Sequence, residues 1–150
     1  MGKVEVYRPY IEKIVKEYLS LDDLVVADNG DIPVRIGSAR YIVRLTDGEP
    51  PLMRVFSVLL EEVEDNPDIY KELNSINCNI VSARVFYLVD DKIIVCAMEV
   101  PAETVDKEEL AHACWAVGTL AEWADTDLQK KFGGKMAFDD EKPEEQPTDV

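Results

Sequence analysis

Apolar residues near the start of the chain recur at helical spacing. Ile11, Ile14, Val15, Tyr18 and Leu19 fall on one stripe, with Glu12, Lys13, Lys16 and Glu17 off it, which predicts an amphipathic helix over residues 9–19. Pro9 suits the first helical position, where a missing N–H costs nothing. The period then shortens to two. Residues 24–27 and 32–36 read as strands flanking Asn29-Gly30, a strong hairpin signal, and Pro33 assigns the second of them to a sheet edge. Gly37-Ser38 predicts a tight turn with positive φ, followed by a strand over 39–46 and a turn at Asp47-Gly48. Residues 52–60 are apolar on both faces, the mark of a strand in the middle of a sheet.

The second half repeats the alternation of periods. Asn66-Pro67 reads as a helix cap followed by proline at the first turn, for a helix over 67–76. Strands over 84–89 and 92–100 form a hairpin about Asp90-Asp91, closed by Pro101. Asp106 with Glu109 resembles a capping box, for a final helix over 107–124, and Gly133-Gly134 stops the pattern. The short connections predict antiparallel pairing, and no β-α-β alternation points to a nucleotide-binding parallel sheet. The expected class is α+β: an antiparallel sheet with helices packed on it, in the order α-β-β-β(-β)-α-β-β-α.

Composition narrows the function. The 150 residues carry a formal charge of −15, and 47% are apolar. That is enough for a core, and the charge argues against binding nucleic acid or an anionic membrane. Neither a membrane-length apolar run nor a signal-peptide block is present, so a soluble, cytoplasmic domain is expected. Residues 139–150 hold six acids against Lys142 and read as a disordered acidic tail on a domain of residues 1–138.

The chemistry-bearing residues do not assemble into a catalytic or metal motif. Cys78, Cys96 and Cys114 are odd in number and sit in apolar stretches, as free thiols do. His112 is the single histidine, and two residues from Cys114 on a helix it points elsewhere. Neither a cofactor nor a metal is expected.

What remains is a face. Strand side chains alternate sides. Tyr41, Val43 and Leu45, then Met53, Val55, Ser57 and Leu59, then Val85, Tyr87 and Val89 make one core-like side. The other side carries Arg40, Ile42, Arg44, Arg54, Phe56, Val58, Arg84, Phe86 and Leu88, with Arg35 on the second strand. Either the arginines merely solubilise apolar neighbours by lying over them, or the face receives a partner. Ile42, Phe56, Val58, Phe86 and Leu88 would make a large patch if exposed. The final helix is apolar nearly all round, and Trp115, Val117, Leu120 and Trp123 are candidates for a subunit interface.

Several stretches carry a family resemblance: Leu73-Asn74-Ser75-Ile76-Asn77, Ala83-Arg84-Val85-Phe86-Tyr87-Leu88, Lys92-Ile93-Ile94-Val95 and Glu99-Val100-Pro101. With the element order, residues 8–128 resemble class I type III secretion chaperones and the related YbjN family. The resemblance implies an acidic cytosolic protein, usually a homodimer, that binds an extended segment of a client protein without chemistry. It carries no residue signature for the binding site. A sensory or regulatory domain that holds a small acidic ligand with the arginines is the alternative, and an enzyme with an unrecognised site is a third.

Overall fold

In a computed structural model of the chain, residues 4–36 and 39–137 are described. The helix α1 (Val4–Leu19) is followed by β1 (Ile32–Ile36), β2 (Ala39–Thr46), β3 (Leu52–Glu61), α2 (Pro67–Cys78), β4 (Arg84–Leu88), β5 (Ile93–Pro101), α3 (Lys107–Phe132) and the short β6 (Lys135–Met136). The strands form one antiparallel sheet in the order β1-β2-β3-β5-β4, with β6 beside the end of β3. The expected α+β class holds. β3, apolar on both sides, lies in the middle, and β1, interrupted by Pro33, lies at an edge. There the proline forfeits no ladder bond that a neighbouring strand would need.

The core lies between one face of this sheet and the helices. Ile11, Ile14 and Val15 of α1, Ile69, Leu73 and Ile76 of α2, and Leu110, Ala113, Val117 and Leu120 of α3 pack with Val43, Met53, Val55, Val85, Ile94 and Cys96. Asn66 caps α2 by accepting from the Asp68 amide at 2.9 Å, and Asp106 caps α3 by accepting from the Glu109 amide at 2.8 Å. α3 comes close to the sheet at Gly118, where a Cβ would collide with the Tyr41 hydroxyl of β2.

Several expectations are corrected. α1 begins at Val4, not Pro9, because Val4 is buried and extends the apolar stripe by two turns. Residues 24–27 form no strand: Ala27 donates to Asp31 O at 2.8 Å and Gly30 to Ala27 O at 2.8 Å, which closes the Asn-Gly turn. The turn is held instead by α1, where Arg8 Nη1 donates to Gly30 O at 3.1 Å. α3 continues two turns past residue 124 because Leu128 is buried in register with the core face, and Gly133, at φ 75°, ends it. Cys78 is exposed, whereas Cys96 and Cys114 are buried. The expected turn at Gly37-Ser38 and the expected tail over 139–150 lie outside the described residues.

Candidate functional site

The second face of the sheet is built by register. Ile42 of β2 sits beside Phe56 of β3, which sits beside Ala97 of β5, which sits beside Arg84 of β4. The next row is Arg44, Arg54 and Glu99; on the other side, Val58, Val95 and Phe86 align. Phe56, Val95 and Ala97, flanked by Ile42, Val58, Phe86 and Ile93, form a second apolar cluster, to which none of the described helices contributes. The expected segregation of faces therefore holds along β2, β4 and most of β3. It breaks at the end of β3, where a register shift between Val58 and Leu60 turns both Leu59 and Leu60 to the core.

The arginines are organised, not loose. Two cross-strand positions place like charges opposite each other, Arg35 with Arg40 and Arg44 with Arg54, an unfavourable pairing unless carboxylates intervene. Asp31 accepts from Arg44 Nε at 2.9 Å and Nη2 at 2.6 Å, a bidentate pair. Glu99 accepts from Arg54 Nε at 3.0 Å and from Arg84 Nη1 at 2.5 Å. The Arg44 hydrogen bonds hold the Asp31 carboxyl below its ordinary range, and Arg84, with help from Arg54, does the same for Glu99. Two guanidinium groups also cover aromatic rings: Arg44 lies 4.7 Å above the centroid of Phe56 and Arg84 5.0 Å above that of Phe86.

This cover corrects the expected exposed patch. Phe56 is only 8% exposed, Ile42, Val58 and Phe86 are half-buried, and Leu88, at 39%, is the one open member of the five. Arginine stems and stacked guanidiniums shield the row from water. A groove of about 270 Å³ remains, lined by Arg44, Arg54, Phe56, Val58, Phe86 and Leu88 together with Val95 and Asp91. Six of the nine face residues thus come together in one groove. Of the others, Ile42 abuts Phe56, Arg84 stacks on Phe86, and Arg40 lies opposite Arg35. Sequence reasoning overlooked Glu99, Asp31 and Val95. The signal in β5 was present, since Ile93, Val95, Ala97 and Glu99 alternate with Ile94, Cys96, Met98 and Val100.

The outer face of α3 forms a second concavity of about 450 Å³, lined by Ile80, Val81, His112, Trp115, Leu120 and Trp123 among others. Trp115 and Trp123 are 63% and 62% exposed, and Leu120 forms the floor. Val117 is fully buried in the chain's own core, one helical face away, so it is corrected from an interface candidate to a core residue. His112 Nε2 lies 3.0 Å from Ser82 Oγ on the surface, and its ring stacks on Trp115. Cys114 is buried, and burial pushes its thiol up to about 12, whereas His112 lies at the surface. Among the described residues, no group of three or more His, Cys, Asp or Glu is placed to hold a metal ion, and no helix is long and apolar enough to cross a membrane.

Fold and face together define an α+β domain with its described helices on one side of the sheet and an apolar, arginine-rimmed groove on the other. Residues 5–140 match the family described as T3SS (YopN, CesT) and YbjN peptide-binding chaperone 1, TY-Chap1, and the chain belongs to that family. Similar solved structures include a HopA1-SchA chaperone-effector complex, at 9% identity and a TM-score of 0.63, covering 84% of this chain and 98% of that one. An ExsC-ExsE complex matches at 12% identity and 0.62, covering 84% and 96%. The Yersinia pestis type III secretion chaperone SycH, in complex with a fragment of YscM2, matches at 18% identity and 0.54, covering 78% and 98%. At these identities the likeness is one of fold. Among curated proteins no significant match is found.

Proposed function

We propose that this protein is a non-enzymatic cytoplasmic chaperone that binds an extended segment of a client polypeptide in the groove of its arginine-bearing sheet face, and that it works as a homodimer. The observation that supports the client site is the open second face: an apolar floor of Phe56 and Val95 between arginine rims, with no described helix over it. Family membership supports a peptide as the ligand. A peptide could dock on this face or add to a sheet edge. The face is favoured because both edges are blunted. The Asn77 side chain pairs with the Val85 amide at 2.8 Å and the Val85 carbonyl at 2.9 Å, in the place a new strand would take at β4. β1 carries Pro33.

A small acidic ligand fits less well. Such a ligand needs several free donors converging on one point, but Arg44 already grips Asp31, and Arg54 and Arg84 share Glu99. The guanidinium groups are spread along the face rather than gathered at one point, which suits an extended chain. For the dimer, Trp115, Trp123 and the 85% exposed Val81 supply the apolar seam.

The test is capture of a permanently unfolded probe, reduced and carboxymethylated α-lactalbumin, by the wild-type chain and by Leu88→Glu and Phe86→Glu. Loss of capture at least tenfold, with cooperative melting retained, is expected. Capture unchanged in both variants refutes the face. Phe56 is too buried to serve, since a charge there would unfold the chain.

A further inference from the structure

We infer that two copies of this chain join through the outer face of α3, one helix antiparallel to the other about a two-fold axis at Thr119; the inference rests on the homodimer reading above. The symmetry of the helix surface carries it. Trp115 and Trp123 stand equally far before and after Thr119, as do His112 and Thr126, and Glu108 and Lys130. All are exposed, and at 3.6 residues per turn they fall within about 40° of one line along the helix. Ala116 and Leu120, buried beneath, floor a concavity of about 450 Å³ that Val81 walls.

In a two-fold contact, if residue i of one copy meets residue j of the other, then j meets i in return. With antiparallel helices and the axis at Thr119, each Trp115 meets the second copy's Trp123, each His112 meets Thr126, and each Glu108 meets Lys130. Indoles therefore pair near the centre, in the concavity, and opposite charges close both ends. The stripe is acidic only at its start and basic only at its end, so it complements itself in this direction alone.

Other arrangements fit worse. Parallel helices set Glu108 against Glu108 and Lys130 against Lys130, and like charges across an interface are repelled. An axis one turn earlier, at Trp115, sets Glu108 against Glu122. An axis one turn later, at Trp123, sets Trp115 against Lys131, which Glu72 at 2.7 Å and Asp127 at 3.1 Å already hold. Glu108 and Lys130, by contrast, make no ion pair among the described residues and are available to a second copy. Two chains of charge −15 repel each other overall, which makes a seam with its own matched charges the place where they can meet.

The test uses the full chain carrying Cys78→Ser, which removes the exposed thiol and leaves the buried Cys96 and Cys114 in place. Packed helices lie about 8–10 Å apart, with Cα atoms about 2.3 Å from each axis, so residues on the two-fold approach to about 4–6 Å, within reach of a disulfide. Oxidation of Thr119→Cys by copper phenanthroline is expected to give a covalent dimer on a non-reducing gel. Glu108→Cys is expected to give none, because its two copies stand about 33 Å apart at 1.5 Å per residue; linkage there overturns the arrangement. Lys130→Glu is expected to raise the dimer dissociation constant at least threefold, and adding Glu108→Lys to restore it; failure of the second change to restore it overturns the pairing. Sedimentation of the wild-type chain separates the two readings. A mass of 16.9 kDa at every concentration ends the homodimer reading and this arrangement with it. A chain of about twice that mass whose Thr119→Cys variant does not link keeps the homodimer and refutes the axis at Thr119.

Discussion

Gly118 shows how a single residue sets the spacing of the two layers. Glycine inside a helix costs about 1 kcal/mol against alanine, so propensity alone would favour replacing it. Here α3 lies so close to β2 that a methyl group would strike the Tyr41 hydroxyl. Gly118→Ala is therefore expected to lower stability by about 1–3 kcal/mol, measured by urea unfolding, and Tyr41→Phe in the same chain should restore part of the loss. Asp31 and Glu99 make the corresponding electrostatic case. Both carboxyls are held below their ordinary values by arginine. Between the depressed native values and an ordinary carboxylate value near about 4, the unfolded chain binds more protons than the native one. Their stabilisation is complete above that window and is lost as pH falls through it. Unfolding midpoints should thus drop below about pH 4, and Glu99→Gln should flatten the fall; an unchanged acid limb in that variant would remove Glu99 from the account.

At the scale of elements, edges and outward faces matter most. Asn77 belongs to the Leu-Asn-Ser-Ile-Asn stretch that ends α2, and its side chain stands in for a neighbouring strand at Val85. Asn77→Ala leaves both backbone groups of Val85 without that partner. A loss of about 1–3 kcal/mol is expected, with self-association through the bared edge of β4 visible by light scattering. α3 was legible as a helix apolar nearly all round, but the sequence could not say which of its apolar residues face inward. Val117 points into the core, and Trp115 and Trp123 point out. If the tryptophans form the dimer seam, Trp115→Glu should shift the solution mass from about twice 16.9 kDa to once that value without changing the melting temperature; a wild-type chain that sediments at 16.9 kDa refutes the seam outright.

For the whole molecule, the sheet separates a helical core from an arginine-bearing face, and most of that division was readable beforehand. Strict alternation in residues 39–46 and 84–88 assigns faces because neighbouring strand side chains must point opposite ways. The caps at Asn66 and Asp106 and the edge proline at Pro33 are local chemistry, and they came out as expected. The strand expected over residues 24–27 did not form, because a turn signal closes a turn without by itself fixing a regular ladder beside it. The bulge between Val58 and Leu60 was equally invisible, since both leucines are apolar and either could have faced the groove.

The sequence by itself determined the class, the order of elements and the presence of an arginine-bearing second face, because these follow from period, turn chemistry and charge, all of which act over a few residues. Only the tertiary structure decided how open that face is. Arg44 and Arg84 fold over Phe56 and Phe86, and Asp31 and Glu99 hold the guanidinium groups there through ion pairs between residues 13 to 45 positions apart. Burial and ion pairing depend on which strands meet in register, and that is fixed only when the whole sheet closes.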